Sequence, residues 1–168
     1  MEPHIAELED GRLIAIMRTD QGHVYRTYSE DQGEHWSESE PIPEIVAPES
    51  MPSLERIPGT NDLVLLYNHH FVPGGDHGGR RNPLTMALSR DGGSTWGNIK
   101  DVVVRDFGVW TDQQGQQHDW SWVISHPTVL FVQNKMIVSY YEGVSRSPCH
   151  GVPCSLGVKT IDTSWLYE

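Results

Sequence analysis

Cationic side chains are scarce in this sequence: 12 Lys and Arg stand against 23 Asp and Glu, a formal charge of −11 over 168 residues. Binding to nucleic acid or to an anionic membrane draws on clustered Lys and Arg, and only Arg80-Arg81 is locally basic, which argues against both partners. Long apolar runs are missing too. None approaches the roughly 20 residues of a membrane span, and Met1-Glu2-Pro3-His4 lacks signal-peptide character. The chain reads as soluble, with no compartment set by the sequence. No amphipathic helical stretch stands out. Cysteine is limited to Cys149 and Cys154. Two free thiols are the default for such a pair, and a short-loop disulfide is the alternative in an oxidising compartment.

What is abundant is turn and strand chemistry. Sixteen Gly, 11 Pro, six Trp and six Tyr accompany short apolar runs, a mixture that suits many short strands joined by tight turns. One octapeptide pattern, Ser-x-Asp-x-Gly-x-x-Trp, occurs twice, over Ser29 to Trp36 and over Ser89 to Trp96. Each copy follows an apolar or aromatic strand, Val24 to Tyr28 and Leu84 to Leu88, and so marks a hairpin turn. There Asp bonds the turn's amides, Gly takes positive φ, and Trp folds back to bury its ring.

A longer repeat encloses the octapeptides. Segments opening on x-Pro begin at Glu2, Met51 and His126, and each is followed by a polar turn and a second strand: Leu13 to Met17, Leu63 to Tyr67 and Met136 to Tyr140. Third strands are predicted over Val24 to Tyr28, Leu84 to Leu88 and Ser155 to Ile161. Fourth strands are expected near Glu38 to Ile42, Ile99 to Val104 and Ser164 to Tyr167. The expectation is an all-β chain of three four-stranded antiparallel blades, approximately residues 1–46, 47–108 and 124–168.

The octapeptides resemble the Asp-box, or BNR repeat, of the sialidase (neuraminidase) superfamily, and the chain is similar to the C-terminal half of a six-bladed sialidase-type β-propeller. The resemblance implies a structural role for Asp31 and Asp91, away from any active site. In a four-stranded meander the Asp-box turns lie on one face, the bottom, and the long connections Asn68 to Pro83, Arg105 to His126 and Glu142 to Cys154 on the other. A ligand site is expected on that top face. Two registers of side chains point there: the pre-proline residues Glu2, Met51 and His126, held extended by the proline that follows, and the strand-ending Arg18, Asn68 and Tyr141.

The resemblance also implies roles. Glu2 to Arg18 looks like the segment in which a Glu assists a tyrosine nucleophile and an Arg clamps the substrate carboxylate. Arg80-Arg81 is similar to the segment bearing a further clamp arginine, with Arg81 preferred to Arg80. Tyr141-Glu142 matches the partner strand of the nucleophile, but His126 stands where the family has tyrosine. Glu2 and His126 are therefore the candidate catalytic residues, and Arg18, Arg80, Arg81, Asn68, Tyr141 and Glu142 the candidate substrate-binding residues.

No cofactor is implied. His69, His70, Asp76 and His77 could ligate a metal, but their spacing matches no zinc motif, and loop flexibility or hydrogen bonding to sugar is preferred. Trp110, Trp120 and Trp122 are stacking platforms for sugar rings or part of a buried rim. Three functions follow: a glycoside-active enzyme acting on an acidic or polyhydroxylated sugar, a non-catalytic carbohydrate-binding propeller, or a scaffold for protein partners. Three blades cannot close a ring, so a homodimer forming a six-bladed propeller, or N-terminal blades of a longer chain, is expected to complete it.

Overall fold

The computed structural model describes residues 2–145 and 155–168; the two cysteines lie outside the described residues. The strands form three antiparallel sheets of four. The first holds β1 (His4–Glu7), β2 (Leu13–Met17), β3 (His23–Ser29) and β4 (Glu40–Val46). The second holds β5 (Ser53–Arg56), β6 (Leu63–Asn68), β7 (Leu84–Ser89) and β8 (Gly97–Val103). The third holds β9 (Phe107–Thr111), β10 (Gln117–Val132), β11 (Lys135–Ser145) and β12 (Ser155–Asp162).

Strand β6 explains why the sheets stack. Its sequence, Leu-Val-Leu-Leu-Tyr-Asn, is buried at every position, as a strand covered on both faces must be. Leu63, Leu65 and Tyr67 join the core shared with Ile14, Ile16 and Val24 of the first sheet. Val64 and Leu66 join the core shared with Met136, Val138 and Tyr140 of the third. Period-two alternation thus gives one strand two different partners.

Both octapeptides form the expected turns. Asp31 Oδ1 accepts the His35 amide at 2.8 Å, and Ser29 Oγ accepts the Gly33 amide at 2.8 Å. In the second copy Asp91 Oδ1 accepts the Thr95 amide at 2.9 Å and Ser89 Oγ accepts the Gly93 amide at 2.8 Å. Each Trp indole N–H donates to the Gly carbonyl of its own turn at 3.1 Å. Gly93 has φ +85, and a Cβ there would run into Ile14 of the neighbouring sheet.

Two expectations fail in the third sheet. The connection Arg105 to His126 is not an irregular loop, because β9 and the first half of β10 form a hairpin with Gln117 opposite Thr111 and Ser121 opposite Phe107. Its turn is built by Asp112, whose Oδ1 accepts the amides of Gln114 and Gln116, and by Gly115 at φ +81. The stretch 164–167 is not a strand but part of a 3-10 helix, Thr163–Tyr167. Its consecutive Trp165 and Leu166 both pack on the core, and a strand would send them to opposite faces. Lys100 Nζ and Asn98 Nδ2 hold it through the Trp165 and Leu166 carbonyls. Among the described residues no helix is long and apolar enough to cross a membrane.

Candidate functional site

The connection from β6 to β7, residues 69–83, dominates the edge opposite the Asp-boxes. Asn68 closes it: its side chain is 1% exposed, and its Nδ2 donates to the carbonyls of Pro83 at 2.9 Å and Ile124 at 3.0 Å. One amide therefore joins the two ends of the loop and fastens both to β10. The Ile124 amide in turn donates to the Arg81 carbonyl at 2.8 Å. Asn82, which precedes Pro83 through a cis peptide, exchanges hydrogen bonds with the backbone of Arg105. Phe71 lies on Gly22, where a Cβ would come within 2.7 Å of its ring. The Glu49 amide donates to the His77 carbonyl at 2.8 Å, and the His77 ring stands 3.4 Å from the Glu49 carboxylate.

Between this loop and the β9–β10 hairpin lies a cavity of about 380 Å³. The loop contributes His70, Asp76, His77, Arg80 and Arg81, and β10 contributes Trp120, Ser121 and Val123. The Arg80 guanidinium stacks 4.1 Å from the Phe107 ring centroid, and Arg81 Nη2 donates to the Glu49 carbonyl at 3.3 Å. Among the described residues neither arginine is paired with a carboxylate. His70 Nδ1 accepts the Arg80 amide at 3.0 Å. Burial first, then the charge of Arg80 and the neighbouring His69, lower the His70 pKa. Its ring is therefore neutral at neutral pH with the proton on Nε2, which makes it a hydrogen-bond donor.

The other candidates are arranged apart from this cavity. Glu2 and Arg18 pair with each other at 3.2 Å on the first sheet, leaving the buried Arg18 Nε with no hydrogen-bond partner among the described residues. Glu142 is bound by Arg105. Tyr141 stands opposite Ser125 and is partly exposed. His126 is exposed, with Nδ1 3.0 Å from Ser125 Oγ. It is not extended as the following proline suggested: its φ is +52, because the register shift between Ser125 and Thr128 turns the chain there. A left-handed, non-Gly residue at a bulge is a conformation that its surroundings must hold.

The family model of the BNR repeat-like domain matches residues 1–140. The chain belongs to the BNR repeat-like family. Solved structures agree on the fold, a sialidase-type β-propeller architecture. The intramolecular trans-sialidase of Ruminococcus gnavus matches with a TM-score of 0.63 at 18% identity, over 98% of this chain and 33% of that one. The α-L-arabinofuranosidase of Fusarium graminearum matches with 0.59 at 14% identity, over 97% and 45%. A polysaccharide lyase, ulvan lyase bound to GlcA(1-4)Rha3S, matches with 0.58 at 13% identity, over 96% and 38%. This BNR repeat-like chain thus spans between a third and a half of the length of these structures. The comparison with curated proteins gives no match.

Sequence reasoning reached Arg80, Arg81, the histidines and Trp120 but passed over Ser121, Phe107 and Arg105. All three lie in the segment Arg105 to His126, read as loop. The turn Thr111-Asp112-Gln113-Gln114-Gly115 was the available signal that a hairpin stood there.

Proposed function

We propose that this BNR repeat-like chain binds a carboxylate-bearing sugar in the cavity between loop 69–83 and the β9–β10 hairpin. The observation that carries the reading is the pair of arginines lining that cavity without a carboxylate partner among the described residues. A guanidinium fork suits a carboxylate. Arg80 is already held by Phe107, so less freedom is lost when it engages an anion. Sugar hydroxyls find a donor in His70 Nε2 and polar groups in Ser121 and Asp76. Trp120 offers a ring face to the pyranose or furanose. That the named activities of the structural neighbours all act on carbohydrate favours the same class of ligand here.

Binding is favoured over hydrolysis. Glycoside cleavage by paired carboxylates needs two of them about 5 to 9.5 Å apart, whereas sialidases use a tyrosine nucleophile instead; among the lining residues described Asp76 is the one carboxylate and none is a tyrosine. Glu2 is engaged by Arg18, and neither Glu2 nor His126 lines the cavity.

Calorimetric titration with the methyl glycosides of glucuronic and sialic acids, against neutral methyl glucoside, tests the reading. An acidic glycoside is expected to bind and the neutral one to bind at least tenfold more weakly. Arg81→Lys, which keeps the charge and loses the fork, should weaken binding about 10- to 100-fold, corresponding to roughly 1.5 to 3 kcal/mol for a charged hydrogen bond. Equal affinity for neutral and acidic sugars, or an Arg81→Lys variant with unchanged affinity, would overturn it. Release of nitrophenol from the matching glycosides would instead establish the enzyme.

A further inference from the structure

The cavity between loop 69–83 and the β9–β10 hairpin is longer than one sugar ring. Along β10 its wall runs from Trp120 to Val123, three residue rises or about 10 Å, twice the roughly 5 Å that one unit adds to a sugar chain. Its volume of about 380 Å³ lies in the range of pockets that bury most of a drug-sized molecule, roughly 300 to 1,000 Å³, and a single ring is smaller than that. Trp120 is a fixed part of the wall: its indole lies against Gly108, where a Cβ would stand 3.0 Å from Nε1.

The loop divides the cavity chemically. Its two arms are joined near the base, where His70 Nδ1 accepts the Arg80 amide, and farther out, where the Val72 amide donates to the Gly78 carbonyl at 2.8 Å. Toward the base stand Arg80 and Arg81 with the neutral His70, a cationic group. At the outer turn Asp76 and Glu49 flank the His77 ring, at 4.0 and 3.4 Å, so two carboxylates share one imidazole. The part that attracts a carboxylate is therefore followed by one that repels it, while the oxygens and ring nitrogens of that outer part suit hydroxyls.

We propose that the site takes two linked sugar units, an acidic one on Arg80 and Arg81 and a neutral, hydroxyl-rich one at Asp76 and His77. The proposal rests on the carboxylate reading of the cavity and adds the second unit and its lack of charge. A chain built of uronic acids alone would bring a second carboxylate to the acidic turn, where like charges oppose it. The ligand class is thus a glycan in which acidic and neutral units adjoin, not a polyuronide.

Calorimetric titration of the purified chain with methyl glucuronide, and with cellobiose and maltose carrying a carboxylate on the first ring, on the second or on both, tests the proposal. One of the singly charged disaccharides should bind about tenfold more tightly than methyl glucuronide, the gain of one or two hydrogen bonds. Its doubly charged form should bind about tenfold more weakly than it does. Asp76→Asn, which keeps the shape and removes the charge, should shrink that second difference several-fold. Methyl glucuronide binding with no gain from a second ring, a doubly charged disaccharide that matches the best singly charged one, or a difference that Asp76→Asn leaves intact would each overturn the proposal and leave the single-carboxylate reading standing. Failure of every acidic sugar to bind would overturn both.

Discussion

Asn68→Ala should unfold the top of the protein before it alters any ligand preference. Asn68 ends the second strand of its repeat, a position that pointed to ligand contact, yet its amide is spent on two carbonyls, Pro83 and Ile124, at 2.9 and 3.0 Å. Each net hydrogen bond is worth about 0.5 to 1.5 kcal/mol, and a buried group stripped of its partner costs about 1 to 3 kcal/mol. The Ile124 contact is the more buried of the two, so the sum comes to about 2 to 4 kcal/mol. For a chain of this size a loss of 1 kcal/mol lowers Tm by roughly 2 to 4 °C, which puts the expected drop at about 5 to 15 °C. Asn68→Asp should be worse, because the carboxylate brings no donor and faces two carbonyl oxygens. Thermal unfolding followed by circular dichroism, with sugar titration well below Tm, reads both effects. An unchanged Tm accompanied by lost sugar binding would refute the bracing role and return Asn68 to the ligand contacts.

Acid should loosen the Asp-box turns. The His35 amide, and then its ring, hold the Asp31 pKa below the ordinary carboxylate value. For Asp91, burial acts upward but is outweighed by the hydroxyl and amide of Thr95 and by Ser89. A depressed folded pKa contributes stability that is complete above the unfolded value of about 3.9 and is lost as pH falls through the folded value. Urea midpoints measured from about pH 7 down to about pH 3 should therefore fall less steeply in Asp31→Ala/Asp91→Ala than in the wild type; parallel curves would count against the turns as the acid-sensitive elements. Gly79 has φ +135, and a Cβ there would stand 2.6 Å from His70 Nδ1. Gly79→Ala should therefore break the Arg80-to-His70 bond, weaken sugar binding several-fold and lower Tm as well, because the backbone there (φ +135, ψ −167) is one that essentially only glycine adopts; unaltered affinity would remove His70 from the site.

The sequence carries the fold because its repeats are locally complete. Ser29 to Trp36 and Ser89 to Trp96 each hold every group that their turn needs, and β6 announces two covered faces by being apolar at every position but its last. The third sheet was less legible for two reasons. Its Thr163-Ser164-Trp165-Leu166 segment has strand-like composition, but its burial, on adjacent residues, suits a 3-10 turn. The hairpin 107–121 is marked by the single turn Asp112-Gln113-Gln114-Gly115 amid polar residues, with little apolar alternation to announce it.

The site was legible only in part, since its geometry depends on how loop 69–83 is tied down. Arg80 and Arg81 stand out as a lone basic pair in an acidic chain. That Asn68, Glu142 and Glu2 are each taken up by a protein partner depends on contacts over long sequence distances: Ile124 with Asn68, and Arg105 with Glu142. The positive φ of His126 arises from a bulge in β10 that overrides the extended preference of a pre-proline residue.

A crystal structure of the chain with the tightest-binding acidic methyl glycoside tests the central claim most directly. The account predicts the sugar between loop 69–83 and the β9–β10 hairpin, its carboxylate on Arg81 and Arg80 and its ring against Trp120. A sugar bound instead at Arg18 beside Glu2, with the cavity empty, would contradict it.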